Sequence, residues 1–204
     1  VIPRCVCCGR DIPQGEVCPD CAQILESHEI FGEAAPGVYA AYRYSDAVGR
    51  LIHTFKYTGG RWMTAFLGDR LWRAVAALPV DGVSFVPLHK RRFAQRGYNQ
   101  AQLLAERVAR LSAKPCIDVL QRIRHTHVQA RLPHEMRLEN VSGAFSLCDH
   151  AGIQGLHILL VDDVITTGAT ISECKALLEE AGAAVTCAAF AVAGKSLQFV
   201  GNKV

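Results

Sequence analysis

Residues 158–170 read ILLVDDVITTGAT, and no other stretch of this chain narrows its fold so far. Apolar residues 156–161 predict a buried strand, two adjacent acids stand at its carboxyl end, and a hydroxyl-rich turn leads into a helix expected over 172–181 and closed by Gly182. A strand that enters a helix in this way belongs to an open α/β sheet, where ligands gather beyond the carboxyl ends of the strands. Backbone amides, three threonine hydroxyls and the positive end of a helix dipole would converge there on one point, a receptacle for a phosphate dianion. Thr166, Thr167, Gly168, Ala169 and Thr170 are the phosphate-binding candidates, Gly168 removing the side chain where an anion must approach the backbone. Asp162 and Asp163 suit the vicinal hydroxyls of a sugar or a divalent cation. The alternative is that these residues only cap the helix, although a cap needs one such residue rather than a run. Neither a Gly-Lys-Ser/Thr phosphate loop nor a G-x-G-x-x-G dinucleotide fingerprint is present.

The remaining pattern agrees with a sheet covered on both faces. Strands are expected over 38–44, 82–87 and 183–192, with a further strand-like run over 52–57 whose pattern also fits the start of a helix. Helical spacing appears over 63–78 and 99–111, and Trp62 and Trp72 read as packing residues. Strands alternating with helices of this length predict a mostly parallel sheet flanked by helices. Residues 22–37 read as a connector.

Five of the nine cysteines fall within the first 21 residues. Cys5-x-x-Cys8 and Cys18-x-x-Cys21 are two pairs at the spacing that lets tight turns aim four sulfurs at a tetrahedral zinc. Gly9 and Pro19 favour such turns. Two disulfides are the alternative, and they would require an oxidising compartment. Cys7 is the spare, a bystander thiol or, in another register, a replacement ligand for a neighbour, while Cys116, Cys148, Cys174 and Cys187 lie in or beside apolar stretches and read as small core residues. A segment this short folds on the binding energy of its metal. Residues 1–28 are thus expected to form a zinc ribbon, with a second domain over 38–204.

The net charge of +3 is too small to announce a nucleic-acid protein by bulk electrostatics. Charge is concentrated instead in residues 89–100 (HKRRFAQRGYNQ), where Lys90, Arg91, Arg92 and Arg96 carry four positive charges and no acid. As a loop after the strand over 82–87 they would clamp a pyrophosphate; a solvated basic loop is the alternative. Lys56 and Tyr57, before Gly59 and Gly60, read either as another phosphate-facing turn or as an ordinary one. Residues 121–145 lack periodicity and are expected to form a lid, with His125, His127 and His134 solvated rather than metal-bound. No run reaches the ~18 apolar residues of a membrane-spanning helix, and no charged-then-apolar export signal opens the chain, so no membrane insertion and a cytoplasmic location are expected.

All thirteen positions of 158–170 resemble the signature of type I phosphoribosyltransferases, the loop that holds phosphoribosyl pyrophosphate (PRPP). The resemblance implies the 5-phosphate on Thr166–Thr170, the ribose 2- and 3-hydroxyls on Asp162 and Asp163, Mg2+ accompanying PRPP, and a lid closing over it. With the four-cysteine knuckle, FKY near residue 57, PLHKRRFAQRGYNQAQLLA and RLENVSGAF, the chain resembles the ComF family over nearly its whole length. That family implies transfer of ribose 5-phosphate to a nitrogen acceptor in the setting of natural competence and DNA use. It also implies single-stranded DNA or DNA-uptake proteins as partners. A PRPP sensor without turnover and a single-stranded DNA or protein adaptor are the alternatives.

Overall fold

The computed structural model describes residues 3–57, 59–124, 143–148 and 152–194. Its centre is β6 (His157–Ile165), in which Ile158, Leu159, Leu160 and Val161 are all buried, as expected of a strand covered on both faces. Strands β3 (Gly82–Phe85) and β7 (Ala184–Val192) pair with it in parallel on either side. β2 (Val38–Arg43) continues the sheet in parallel beside β7, and β1 (Glu29–Ala35) closes it antiparallel, giving the order β1-β2-β7-β6-β3. The mostly parallel sheet expected from the sequence is therefore present. Its outermost strand comes from a segment read as a connector.

Side chains on a strand alternate between faces, so Phe190 and Cys187 of β7 point opposite ways. Phe190 meets Tyr42, which meets Phe31, and Arg73 of α3 (Thr64–Val75) lies over the Phe31 ring. α5 (Gln100–Ser112) packs beside α3 and against β3 and β6, burying Leu103, Leu104, Ala105 and Val108. α6 (Ala169–Glu180) covers β7 and β6 through Ile171, Cys174 and Leu178.

Several local expectations are corrected. Residues 52–57 are not a strand but the second half of α2 (Asp46–Tyr57). Ala47, Val48, Leu51, Ile52 and Phe55 are buried at the 3.6-residue period, a stripe visible only when the window begins at Asp46. The basic segment is not a loop but α4 (Lys90–Arg96), whose N-cap His89 accepts from the Arg91 amide through Nδ1 at 3.2 Å and whose C-cap is Gly97. The helix after the threonine turn begins at Ala169 rather than 172. Trp62 is 62 % exposed, and Cys116 and Cys148 are exposed, so none of the three is a core residue; Trp72, Cys174 and Cys187 pack as expected. The two ends of the expected lid are β4 (Leu120–Arg122) and β5 (Phe145–Leu147), paired antiparallel. Residues 125–142, with the three lid histidines, lie outside the described residues.

The N-terminal residues fold around their sulfurs. Chain reversals close on hydrogen bonds from the Gly9 amide to the Cys5 carbonyl and from the Cys5 amide to the Arg10 carbonyl, both 2.8 Å. The second pair opens α1 (Pro19–Glu26), with proline in its first turn, where the missing amide hydrogen costs nothing. The spare Cys7 is buried, its sulfur 3.7 Å from the carbonyl of Ala47 at the start of α2. Among the described residues no helix is long and apolar enough to cross a membrane.

Candidate functional site

β6 delivers Asp162 and Asp163 to the carboxyl edge of the sheet, into a cavity of about 570 Å³. Thr166 and Thr170 line the same cavity. A niche of about 40 Å³ within the turn, bounded by all five residues from Thr166 to Thr170, shares four walls with the main cavity, Asp162, Val164, Thr166 and Thr170. Gly168 sits there at φ +81°, a left-handed conformation that side chains resist; as N-cap it offers no side chain, and the Ala169 amide at the start of α6 has a side-chain acceptor, Thr167 Oγ1 at 3.4 Å. The arrangement leaves a helix start and a glycine facing a space of single-phosphate size.

Opposite the acids stand cations from three elements. Lys56, near the end of α2, reaches across to Asp163 with its Nζ 2.9 Å from Oδ2. Arg92 and Arg96 project from one side of α4, four residues apart, and Arg122 comes from β4. Lys90 and Arg91, one to two residues earlier on the helix, are exposed and do not line the cavity. Thus two of the four expected pyrophosphate residues are brought to the site. Burial pushes Arg92 down from the usual guanidinium range, and neighbouring Arg96 adds to it; burial and Arg92 act likewise on Arg122. Crowded cations at one wall favour an anionic occupant.

Arg96 is held in place. Its Nη1 donates to Gln100 Oε1 and its Nη2 to the Tyr57 hydroxyl, each at 2.9 Å, with the guanidinium 4.8 Å from the Tyr57 ring centre. Tyr98 donates to the Phe55 carbonyl at 2.5 Å and Asn99 Nδ2 to the Val86 carbonyl at 3.0 Å, tying the α4–α5 junction to α2 and to the residue that follows β3. Sequence reasoning singled out neither Gln100 nor Arg122 as a site residue, and it offered Lys56 only as a turn residue. The signal for Gln100 was its place directly after the N-cap Asn99 on a helix aimed at the basic segment.

The two acids are not equivalent. Asp163 is 9 % exposed and holds the lysine, whereas Asp162 accepts the Asp163 amide at 2.8 Å through Oδ1. Burial first, and then the neighbouring Asp163, push the Asp162 carboxyl up to about 7, against the opposing pull of Lys56. A carboxyl whose pKa is higher folded than unfolded binds more protons in the folded state. Its contribution is therefore fullest below pH ~4 and drains away as pH rises towards 7. Asp162→Asn is expected to gain on the wild type over that window by on the order of 2 to 4 kcal/mol. Urea unfolding of both proteins between pH 4 and 8 checks this, and parallel curves would refute it.

At the N-terminus the Sγ atoms of Cys5, Cys8, Cys18 and Cys21 all lie within 4.8 Å of one another. The Cys8–Cys18 separation of 3.8 Å matches the edge of a tetrahedron with Zn–S bonds of ~2.3 Å. The Cys18 amide donates to the Cys5 sulfur at 3.3 Å. Burial works to raise the Cys5 thiol, but amides of Cys18, Cys8 and Cys7 outweigh it and bring it down to about 6, while burial and neighbouring sulfurs raise Cys21. Four converging thiols, three of them buried and Cys8 exposed, fit a divalent metal ion that would offset part of their thiolate charge.

This geometry, a parallel sheet presenting two acids and a phosphate-sized turn, agrees with what relatives of the chain reveal. Residues 94–200 match the sequence model of the Phosphoribosyl transferase domain, so the fold is that of the type I phosphoribosyltransferases with a small N-terminal cysteine module. DNA utilization protein YhgH of Salmonella typhi is 32 % identical over 90 % of this chain and 81 % of its own length. Competence protein F of Haemophilus influenzae is 34 % identical over 68 % and 65 %, and Competence protein ComFC of Bacillus subtilis is 29 % identical over 91 % and 75 %. The chain belongs to the ComF family.

Proposed function

We propose that the cavity binds PRPP and that the protein transfers ribose 5-phosphate to a nitrogen acceptor in the cytoplasm, in the service of DNA uptake and use. One observation carries the reading: a pair of acids and a wall of cations line one cavity, and a small niche in the threonine turn shares its walls, the three kinds of partner that the ribose diol, diphosphate and 5-phosphate of PRPP require. The 5-phosphate takes the Thr166–Thr170 turn, the ribose 2- and 3-hydroxyls take Asp162 and Asp163, and the diphosphate takes Arg92, Arg96 and Lys56. Two carboxylates beside a polyphosphate also fit Mg2+, which when bound would neutralise charge on the diphosphate oxygens. In the reaction the C1–O bond to pyrophosphate breaks and pyrophosphate leaves with the electron pair. The acceptor nitrogen forms the new bond to C1, and Asp163, paired with Lys56 at 2.9 Å, takes the nitrogen's proton. The arginines hold the departing diphosphate in place. Zinc on Cys5, Cys8, Cys18 and Cys21 has a structural part in this reading.

The test is calorimetry of PRPP with magnesium, followed by measurement of pyrophosphate release in the presence of a panel of nitrogen bases. Saturable binding with base-dependent release is expected. Binding without release for any base would leave a PRPP sensor, and no binding at all would remove the reading.

A second reading draws on the exposed side of α4, where Lys90 and Arg91 accompany the half-exposed Phe93, a basic and aromatic surface suited to single-stranded DNA. The relatives' names supply its context. On that reading DNA affinity falls steeply with salt and drops in Lys90→Ala with Arg91→Ala, while Asp162→Asn leaves it intact.

A further inference from the structure

Gln100 is 1 % exposed, yet it lines the main cavity from the first turn of α5. Its orientation is fixed by chemistry. The Arg96 guanidinium can only donate, so the atom 2.9 Å from Nη1 must be the amide oxygen. The NH2 group then points the other way, and Nε2 is buried with no hydrogen-bond partner among the described residues. A buried donor left unpaired is costly, and natural proteins seldom keep one without a use. Around the cavity stand Lys56, Arg92, Arg96 and Arg122, so the group that arrives at this wall is rich in anionic oxygen.

We propose that Gln100 is a ligand-binding residue whose Nε2 donates to an oxygen of the diphosphate bound along the basic wall. The assignment rests on the PRPP reading of the cavity. Arg96 has two tasks in it: its charge attracts the diphosphate, and its hydrogen bond turns the Gln100 amide so that the donor faces the ligand. A neutral donor at this depth adds directional selectivity that the arginines alone do not, because it meets an oxygen only when the anion sits deep enough to reach the α5 terminus. Mono-anions held at the outer part of the wall would not engage it.

The experiment uses the full chain, with PRPP and inorganic pyrophosphate, each with magnesium, as probes in calorimetry. Gln100→Met keeps the volume and removes both the donor and the oxygen that holds Arg96, and Gln100→Glu keeps an oxygen for Arg96 while replacing the donor by a negative acceptor. Affinity for both probes is expected to fall roughly ten- to hundredfold in Gln100→Met and further in Gln100→Glu. Gln100→Met also takes the acceptor from Arg96, so its melting temperature is expected to fall slightly, whereas Gln100→Glu, which keeps an oxygen on Arg96, is expected to hold it. A lowered melting temperature with unchanged affinity would overturn the assignment and make Gln100 a structural residue. If Asp162→Asn abolishes PRPP binding while Gln100→Met leaves it intact, the assignment fails and the PRPP reading survives. Should the wild type bind pyrophosphate but not PRPP, with Gln100→Met weakening that binding, the assignment stands and the PRPP reading fails. If the wild type binds neither probe, both fall.

Discussion

Asp162→Asn combined with Asp163→Asn is expected to lower affinity for magnesium-PRPP by two orders of magnitude or more while the protein stays folded. Each carboxylate in the proposed complex accepts charge-assisted hydrogen bonds from a sugar hydroxyl, and such bonds contribute roughly 1.5 to 3 kcal/mol apiece, so losing two accounts for about a hundredfold at the lower end. The substitution keeps shape and changes only charge and one acceptor per residue. Folding survives because Asp162 is a burden in the empty protein, its carboxyl raised by burial. Against that, Asp163→Asn strips Lys56 of its partner at 2.9 Å, so the single Asp163 variant is the less stable of the two. Calorimetry gives the affinity and thermal melting the fold. Unchanged PRPP affinity in a folded double variant would mean that the acids do not hold the sugar.

The second large effect concerns the N-terminal cysteines. Chelation, or Cys18→Ser, is expected to release one bound zinc per chain, unfold residues 3–26 and lower the melting temperature by ten degrees or more. Structural zinc contributes about 10 to 16 kcal/mol of apparent binding free energy in small domains, more than so short a segment could replace by burial. Cys18 is the instructive choice, because its sulfur lies 3.8 Å from Cys8 and its amide supports Cys5. Metal analysis, melting and limited proteolysis report the outcome. Retention of the melting temperature after complete metal removal, or a mass showing two disulfides in the freshly purified protein, would refute the zinc assignment.

The parts of this molecule legible in its sequence are those where one local signal had no competitor. The run from Ile158 through Thr170 combines strand, acids, turn and helix in an order that few structures satisfy, and the structure brings every one of its candidate residues to one cavity or the niche beside it. The four cysteines were equally plain, because spacing alone brings their sulfurs together. Illegible parts depended on partners distant in sequence. α4 buries none of its residues, so no apolar stripe marks it as a helix, and only its His89 and Gly97 caps betray its ends. That helical twist, invisible in a basic run, separates Arg92 and Arg96 from Lys90 and Arg91. β1 joins the sheet only by pairing with β2, through an irregular register that leaves little alternation to read. Lys56 is the clearest case: its meeting with Asp163 spans more than half the chain, and nothing in FKY announces it.

The Lys56–Asp163 contact has a consequence for how a polyanion enters. The resting pocket is lopsided: part of its acidic floor is already paired with a lysine, while the guanidinium groups of Arg92, Arg96 and Arg122 gather across from it. Such a dipolar mouth orients a visitor before touching it, drawing the more heavily charged end first toward α4 and leaving the weaker end to swing into the threonine turn. Docking would then be a two-beat event whose first beat slows with added salt and whose second does not.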